Sequence, residues 1–318
     1  MLNVALFMFM YIMSFHLVMN SDDWFMVWFG LEINMMVFII FMYNYNSMMS
    51  IESCLKYFFI QGLGSAIFMS VFYISSEWLS MILCMLLSYK IGAGPFFFWF
   101  PSVCSGISWI SCYVLMTLQK VIPLMLMSIF MSWVMYLIVI VSLSFGVLGS
   151  FNQSDLKQLI AYSSVYHLGW ILLCNLSDDI FWLNYLLMYM LMIFPVVNLL
   201  SWLNISNLIS IMKMKYKKWF IVLMLSMSGM PPFLGFFLKW FAFVSIFKFE
   251  FSFMMFLIIC SVVMFYVYFR VIYDVLLTFF SEMMWGNLLV FQKNEFYLDL
   301  VGSVGLMLGL FFSFFFMM

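Results

Sequence analysis

The chain has 318 residues, 68% of them hydrophobic and 8% charged, with a formal net charge of −1. Ordinary soluble domains carry roughly 25% charged residues, so no soluble core hides this much apolar surface, and the balanced charge leaves no basic face for nucleic acid. The apolar runs are about 20 residues long, which suits helices crossing a hydrocarbon core of roughly 30 Å and not the roughly ten-residue alternating strands of a barrel. The expected fold is therefore an all-α membrane protein, a single transmembrane domain over 1–318.

The six cysteines (Cys54, Cys84, Cys104, Cys112, Cys174 and Cys260) stand singly in apolar runs, and the two histidines are His16 and His167. Without a C-x-x-C pair, neither a disulfide framework nor an iron–sulfur site is expected, and two histidines give no metal cluster. The N-terminus runs straight into an apolar stretch, without the basic start and cleavage site of a signal peptide or the Arg- and Ser-rich character of a transit peptide.

Hydropathy predicts about eleven spans: 4–20, 23–44, 53–75, 78–100, 105–130, 132–149, 155–175, 179–204, 217–247, 251–281 and 297–317. The fourth is interrupted at Ser88-Tyr89-Lys90-Ile91-Gly92-Ala93-Gly94-Pro95. The ninth is interrupted at Ser226-Met227-Ser228-Gly229-Met230-Pro231-Pro232, with Lys239 about two turns later. A helix broken at membrane depth is tolerated only where it is buried in protein or lines a cavity. If spans 1–5 (about 1–131) and 6–10 (about 132–281) form two halves, both breaks fall in the fourth helix of a half. Five being odd, the halves would be inverted repeats, followed by a C-terminal helix at about 297–317. Interrupted segments at matching places in two halves are the sequence pointer to a transporter site.

Lysines in the loops after even-numbered spans (Lys157, Lys213, Lys215, Lys217, Lys218 and Lys293) outnumber those on the other face, where Lys248 stands among Asp22, Asp23, Glu77, Asp178, Asp179 and Glu250. Positively charged loops face inside, which starts the N-terminus inside and ends the C-terminus outside.

Few ionisable groups fall well within the spans: Glu32, Lys90, Lys120, Lys239, and Arg270 with Asp274. Each charge at mid-depth costs roughly 2.5–3.5 kcal/mol on insertion scales. Arg270 and Asp274, four residues apart, can pair locally, and Lys56 can snorkel to the interface. Glu32 and Lys90 lie on different helices with no local partner, so the choice is between a packing ion pair and a functional one. Lys120 stands three residues before Pro123, near an expected irregularity. His167 shares a polar stripe with Tyr162, Ser163 and Ser164, either as a hydrogen-bonded core residue or as a relay. Burial disfavours the charged form of a lysine or a carboxylate and a nearby opposite charge restores it. Making or breaking a Glu32–Lys90 contact would thus load or release a proton.

These residues carry a resemblance. Trp28-Phe29-Gly30-Leu31-Glu32-Ile33-Asn34, Lys56-Tyr57-Phe58, Lys90-Ile91-Gly92-Ala93-Gly94-Pro95-Phe96 and Gln119-Lys120-Val121-Ile122-Pro123 are similar to the subunit 2 family of mitochondrial NADH:ubiquinone oxidoreductase (complex I). So are Asn152-Gln153-Ser154-Asp155-Leu156-Lys157, the run from Ala161 to Trp170, and Gly229-Met230-Pro231-Pro232-Phe233-Leu234-Gly235-Phe236 with Lys239-Trp240. The resemblance implies an antiporter-like, proton-translocating subunit of the inner mitochondrial membrane, with the matrix as its inside. It implies a polar axis of Glu32, Lys90, Lys120 and Lys239, with Lys157, Tyr162, Ser163, Ser164 and His167 as candidate relays and Gly92, Gly94, Pro95, Gly229, Pro231 and Pro232 as the breaks. It further implies other membrane-arm subunits as partners, especially subunits 4 and 4L, and lipids such as cardiolipin. NAD, FMN, iron–sulfur clusters and ubiquinone would sit on other subunits, with no cofactor, metal or catalytic residue on this chain. The chain departs from the family pattern at Phe97, where a histidine is usual, and at Ser102 and Gln158. Two other readings keep the residues but change the role: a stand-alone cation/proton antiporter, and a structural scaffold without proton flux.

Overall fold

The computed structural model describes residues 2–45, 47–72, 78–177, 181–212, 214, 216–231, 233–246 and 251–285. Within them the chain is helical: α1 (Leu2–Asn20), α2 (Trp24–Met42), α3 (Met48–Phe72), α4 (Leu79–Ile91), a 3-10 turn (Gly94–Phe96), α5 (Trp99–Gly106), α6 (Trp109–Met116) and α7 (Leu118–Ile129). There follow α8 (Val134–Ser150), α9 (Leu156–Ser177), α10 (Phe181–Trp202), the single turn α11 (Leu208–Ile211), α12 (Lys217–Ser228), α13 (Leu234–Ile246) and α14 (Phe251–Trp285). In lipid every backbone polar group must be satisfied within the protein, which is why apolar sequence of this kind resolves into helices. Among the described residues seven helical stretches are long and apolar enough to cross a membrane, counting α4 with its 3-10 turn and α6 with α7 as one each, and three shorter apolar helices lie within α1, α8 and α13. The protein is an integral membrane protein, helical throughout its described elements; the expected span at 297–317 lies outside the described residues, as do Pro232 and the charges Glu77, Asp178, Asp179, Lys213, Lys215, Lys248, Glu250 and Lys293.

The chain divides into two compact units, Met1–Phe145 with Ser164–Leu172, and Gly146–Ser163 with Leu173–Met318. In the first, α2 packs on α1 and α3, α3 on α4 and α5, and α4 on α7. In the second, α12 packs on α10, α13 and α14. Large apolar side chains such as Ile40, Phe59, Leu63, Ile259 and Val262 are exposed, the surface that an apolar solvent or neighbouring subunits would cover.

Both expected breaks are present, and each turns on a glycine. Gly92 (φ 73°) and Gly229 (φ 83°) are left-handed, a conformation that costs an L-residue roughly 1–2 kcal/mol and glycine almost nothing. At the first break Ala93 N–H donates to Ser88 O (2.9 Å) and Gly92 N–H to Tyr89 O (3.3 Å), the paired bonds of a Schellman termination. Gly94 (φ 60°) and Pro95 then begin the 3-10 turn. A third break falls beside Lys120, where an irregularity was expected, but at Thr117 and not at Pro123. The fifth span is divided at Thr117 (φ −121°, ψ −81°), whose hydroxyl donates to Tyr113 O at 2.6 Å. Pro123, the residue that suggested an irregularity, sits inside α7. Its missing N–H removes a bond to Gln119 O without ending the helix.

Candidate functional site

Lys90 is on the last turn of α4 and is 7% exposed. Its surroundings come from one face of α3, where Gln61, Gly64, Ser65 and Phe68 recur at helical spacing and are all buried. Gln61 Nε2 donates to Lys90 O at 2.8 Å, satisfying a carbonyl left over at the helix end. Trp99 Nε1 gives Tyr89 O a second donor, at 3.1 Å, beside Gly92 N–H. Gly64 makes room for the lysine stem: a Cβ there would stand 3.2 Å from Lys90 Cγ. The Lys90 ammonium lies 6.0 Å from the centre of the Phe68 ring. The α3 face was not picked out in the sequence, although a glutamine, a glycine and a serine on one stripe of an apolar helix are a readable sign of an interior-facing surface.

Glu32 and Lys90 do not form an ion pair. Ser65 Oγ donates to Glu32 Oε1 at 2.5 Å instead. Nor do Arg270 and Asp274 pair as their spacing allows; an ion pair does form between Lys56 and Glu52, at 2.6 Å on an exposed helix face.

Lys120 is 2% exposed on α7. Its ammonium donates to Ser164 Oγ at 3.3 Å, with Ser164 O at 3.5 Å, and sits 4.6 Å from the centre of the Phe100 ring. Lys90 and Lys120 line one cavity of about 30 Å³, together with Asn34, Tyr57, Gln61 and Gln119. A cavity of that size with polar walls has room for a water or two. On one wall Gln119 Nε2 donates to Asn34 Oδ1 at 3.1 Å and Gln119 Oε1 accepts from Tyr57 O–H at 3.5 Å. Tyr11 O–H donates to Leu118 O at 2.5 Å, just past the Thr117 break.

His167 follows Ser164 by one turn and is buried, with its ring against Tyr166. Ser163 is buried and donates to Ile160 O. Tyr162 and Lys157 are half-buried. Phe97, where the family pattern has histidine, is buried and stacked on Phe145 at 4.8 Å, so an apolar contact fills that position. Ser102 donates to Trp99 O and Gln158 is half-buried.

In the second unit Lys239, on α13, is 8% exposed and donates to Ser228 O at 2.8 Å across the Gly229 break. It lines a groove of about 250 Å³ with Ser228, Gly229, Trp240, Ser261 and Phe265. Lys217, taken as a loop charge in the sequence, is the first residue of α12 and is 1% exposed. Among the described residues no three His, Cys, Asp or Glu side chains come together as a metal site.

Helices interrupted at depth beside buried lysines define an antiporter-like membrane subunit. The model of the NADH:quinone oxidoreductase/Mrp antiporter transmembrane family matches residues 67–264. NADH-ubiquinone oxidoreductase chain 2 of Anopheles gambiae is 34% identical over 300 residues, covering 88% of each chain. That of Aedes aegypti is 31% identical over 324 residues, covering 96% of this chain and 95% of the relative. A chain of respiratory complex I from Thermus thermophilus superposes with a TM-score of 0.79 at 23% identity, covering 98% of this chain and 78% of that one, a likeness of fold. The chain belongs to the NADH-ubiquinone oxidoreductase chain 2 family and is a subunit of that respiratory complex.

Proposed function

We propose that this subunit relays protons within the membrane arm of the complex, driven by electron transfer from NADH to ubiquinone on other subunits. The observation that carries the reading is the shared cavity: two buried lysines from different helices, each next to a helix break, face the same small polar space. Bare lysines at such depth are costly and functional by default. Glu32 couples the neighbouring subunit to Lys90, Lys120 receives the proton from Lys90, and Lys239 serves the second unit. Ser164 supports Lys120 directly; His167, Ser163, Tyr162 and Lys157 lie along the same helix as further relay positions.

The finer architecture belongs to this reading: eleven spans in two inverted five-helix repeats and a C-terminal helix, in the mitochondrial inner membrane. The N-terminus is on the matrix side and the C-terminus on the intermembrane side. Subunits 4 and 4L and lipids such as cardiolipin are its neighbours, and flavin, iron–sulfur clusters and quinone are held elsewhere. The test is Lys90→Met in the assembled complex. Proton translocation coupled to NADH oxidation is lost while the complex still forms; wild-type translocation in an assembled Lys90→Met complex overturns the relay.

A further inference from the structure

We propose that the Ser65 hydroxyl is a latch that holds Glu32 away from Lys90 and so sets when the two form an ion pair. The inference rests on the relay reading, in which the Glu32–Lys90 contact is made and broken.

Ser65 is 1% exposed on α3. Its hydroxyl has two acceptors within reach, Glu32 Oε1 at 2.5 Å and Gly62 O at 2.9 Å. Other serines in this chain make only the local bond to the carbonyl three residues back, among them Ser53 and Ser88. Ser65 differs in having a carboxylate as an alternative. A hydroxyl has one proton to donate, so the two acceptors compete, and the Gly62 carbonyl lets Ser65 release Glu32 without being left buried and unpaired.

The lysine is close at hand. Gly64, the residue before Ser65, lies against the Lys90 stem, and Phe68, one turn on, lies near its ammonium. The same α3 face thus presents the hydroxyl that binds Glu32 and the surface that seats Lys90. Two arrangements follow. In one, seen here, Ser65 donates to Glu32, and Lys90 has no carboxylate partner. In the other, Glu32 pairs with Lys90 and Ser65 donates to Gly62. The exchange trades one charge-assisted hydrogen bond for one ion pair between the half-buried Glu32 and the buried Lys90, and such terms are close enough in size to be poised. Ser65 acts through Glu32 and is a positioning residue.

The test uses the assembled complex in lipid vesicles, with Ser65→Ala, Ser65→Thr, Glu32→Gln and the Ser65→Ala/Glu32→Gln double variant. Two quantities are read: NADH-driven proton translocation, and the infrared carboxyl band of Glu32, assigned by its disappearance in Glu32→Gln. Ser65→Ala is expected to slow translocation about tenfold, the scale of one hydrogen bond to a charged group, and to shift the Glu32 band. Ser65→Thr, which keeps the hydroxyl, restores both. The double variant behaves as Glu32→Gln alone, because Ser65 has nothing left to hold. An unshifted Glu32 band in Ser65→Ala overturns the latch, and so do additive losses in the double variant. Wild-type translocation in Glu32→Gln overturns the relay reading itself, a result separate from the band, which reports the Ser65 bond whether or not protons are moved.

Discussion

The Lys239 ammonium caps the helix that ends eleven residues before it: Nζ donates to Ser228 O at 2.8 Å, across the left-handed Gly229. At the other break a neutral side chain performs that service, with Gln61 on Lys90 O. A cation at a helix C-terminus is stabilised by the unpaired carbonyls and the negative end of the dipole. Lys239 therefore has a structural task that Lys90 lacks. Lys239→Met leaves Ser228 O, in a residue 2% exposed, without that donor, a loss of about 1–3 kcal/mol. It is expected to lower both the yield of assembled complex on native gels and proton translocation. Lys239→Arg keeps the charge and restores the yield. For Lys90→Met, by contrast, the yield stays normal.

The same corner depends on Gly235. A Cβ there would stand 2.0 Å from the backbone oxygen of Ser226, which has no flexible end to move aside. Gly235→Ala must push α13 away from the end of α12, and overpacking of this sort costs typically about 1–3 kcal/mol. The complex is expected to melt at a lower temperature and to lose translocation, since Lys239 rides on α13. Gly62→Ala is the comparison, since a Cβ there meets nothing within 4 Å; it leaves melting unchanged.

What could be read ahead of the structure was whatever is expensive in lipid. Lys90, Lys120 and Lys239 stand out because a charge in an apolar run has to be explained, and Gly92 and Gly229 because glycine followed within three residues by proline stops a helix. Cheaper features were missed. Thr117 breaks the fifth span with an ordinary residue, while Pro123 drew attention and stayed inside a helix. Ser65 takes the Glu32 carboxylate that was assigned to Lys90, since nothing in a serine marks which of two acceptors it will serve. Lys217 counted as a loop charge because it follows other lysines, yet its position at the start of α12 buries it.

Lys56 provides the control. It stands in a family motif, but its side chain is 46% exposed and pairs with Glu52 one turn before it on the same helix. An exposed pair at that spacing is worth about 0.3–0.5 kcal/mol. Lys56→Gln is expected to leave assembly, melting and translocation at wild-type values. A large loss of translocation with normal assembly would give Lys56 a role that its geometry does not supply.

Gln119 ties together three helices around the lysine cavity, with Asn34 on α2 and Tyr57 on α3 held by opposite ends of one amide on α7. Asn34 is two residues from Glu32 and Gln119 is next to Lys120, so the amide links the helix bearing the carboxylate to the helix bearing the second lysine. Asn34 is 4% exposed and Tyr57 3%. Gln119→Leu keeps the bulk and strips both partners, at a cost of about 1–3 kcal/mol for polar groups left buried. If the amide serves only to hold the helices, the variant melts lower and translocates at the wild-type rate per assembled complex. The shared cavity predicts more: Gln119 supplies part of the polar wall between Lys90 and Lys120, so the rate per assembled complex falls as well. Gln119→Leu combined with Lys120→Met then costs no more translocation than Lys120→Met alone. Independent, additive losses would show that Gln119 and Lys120 do not act on the same step.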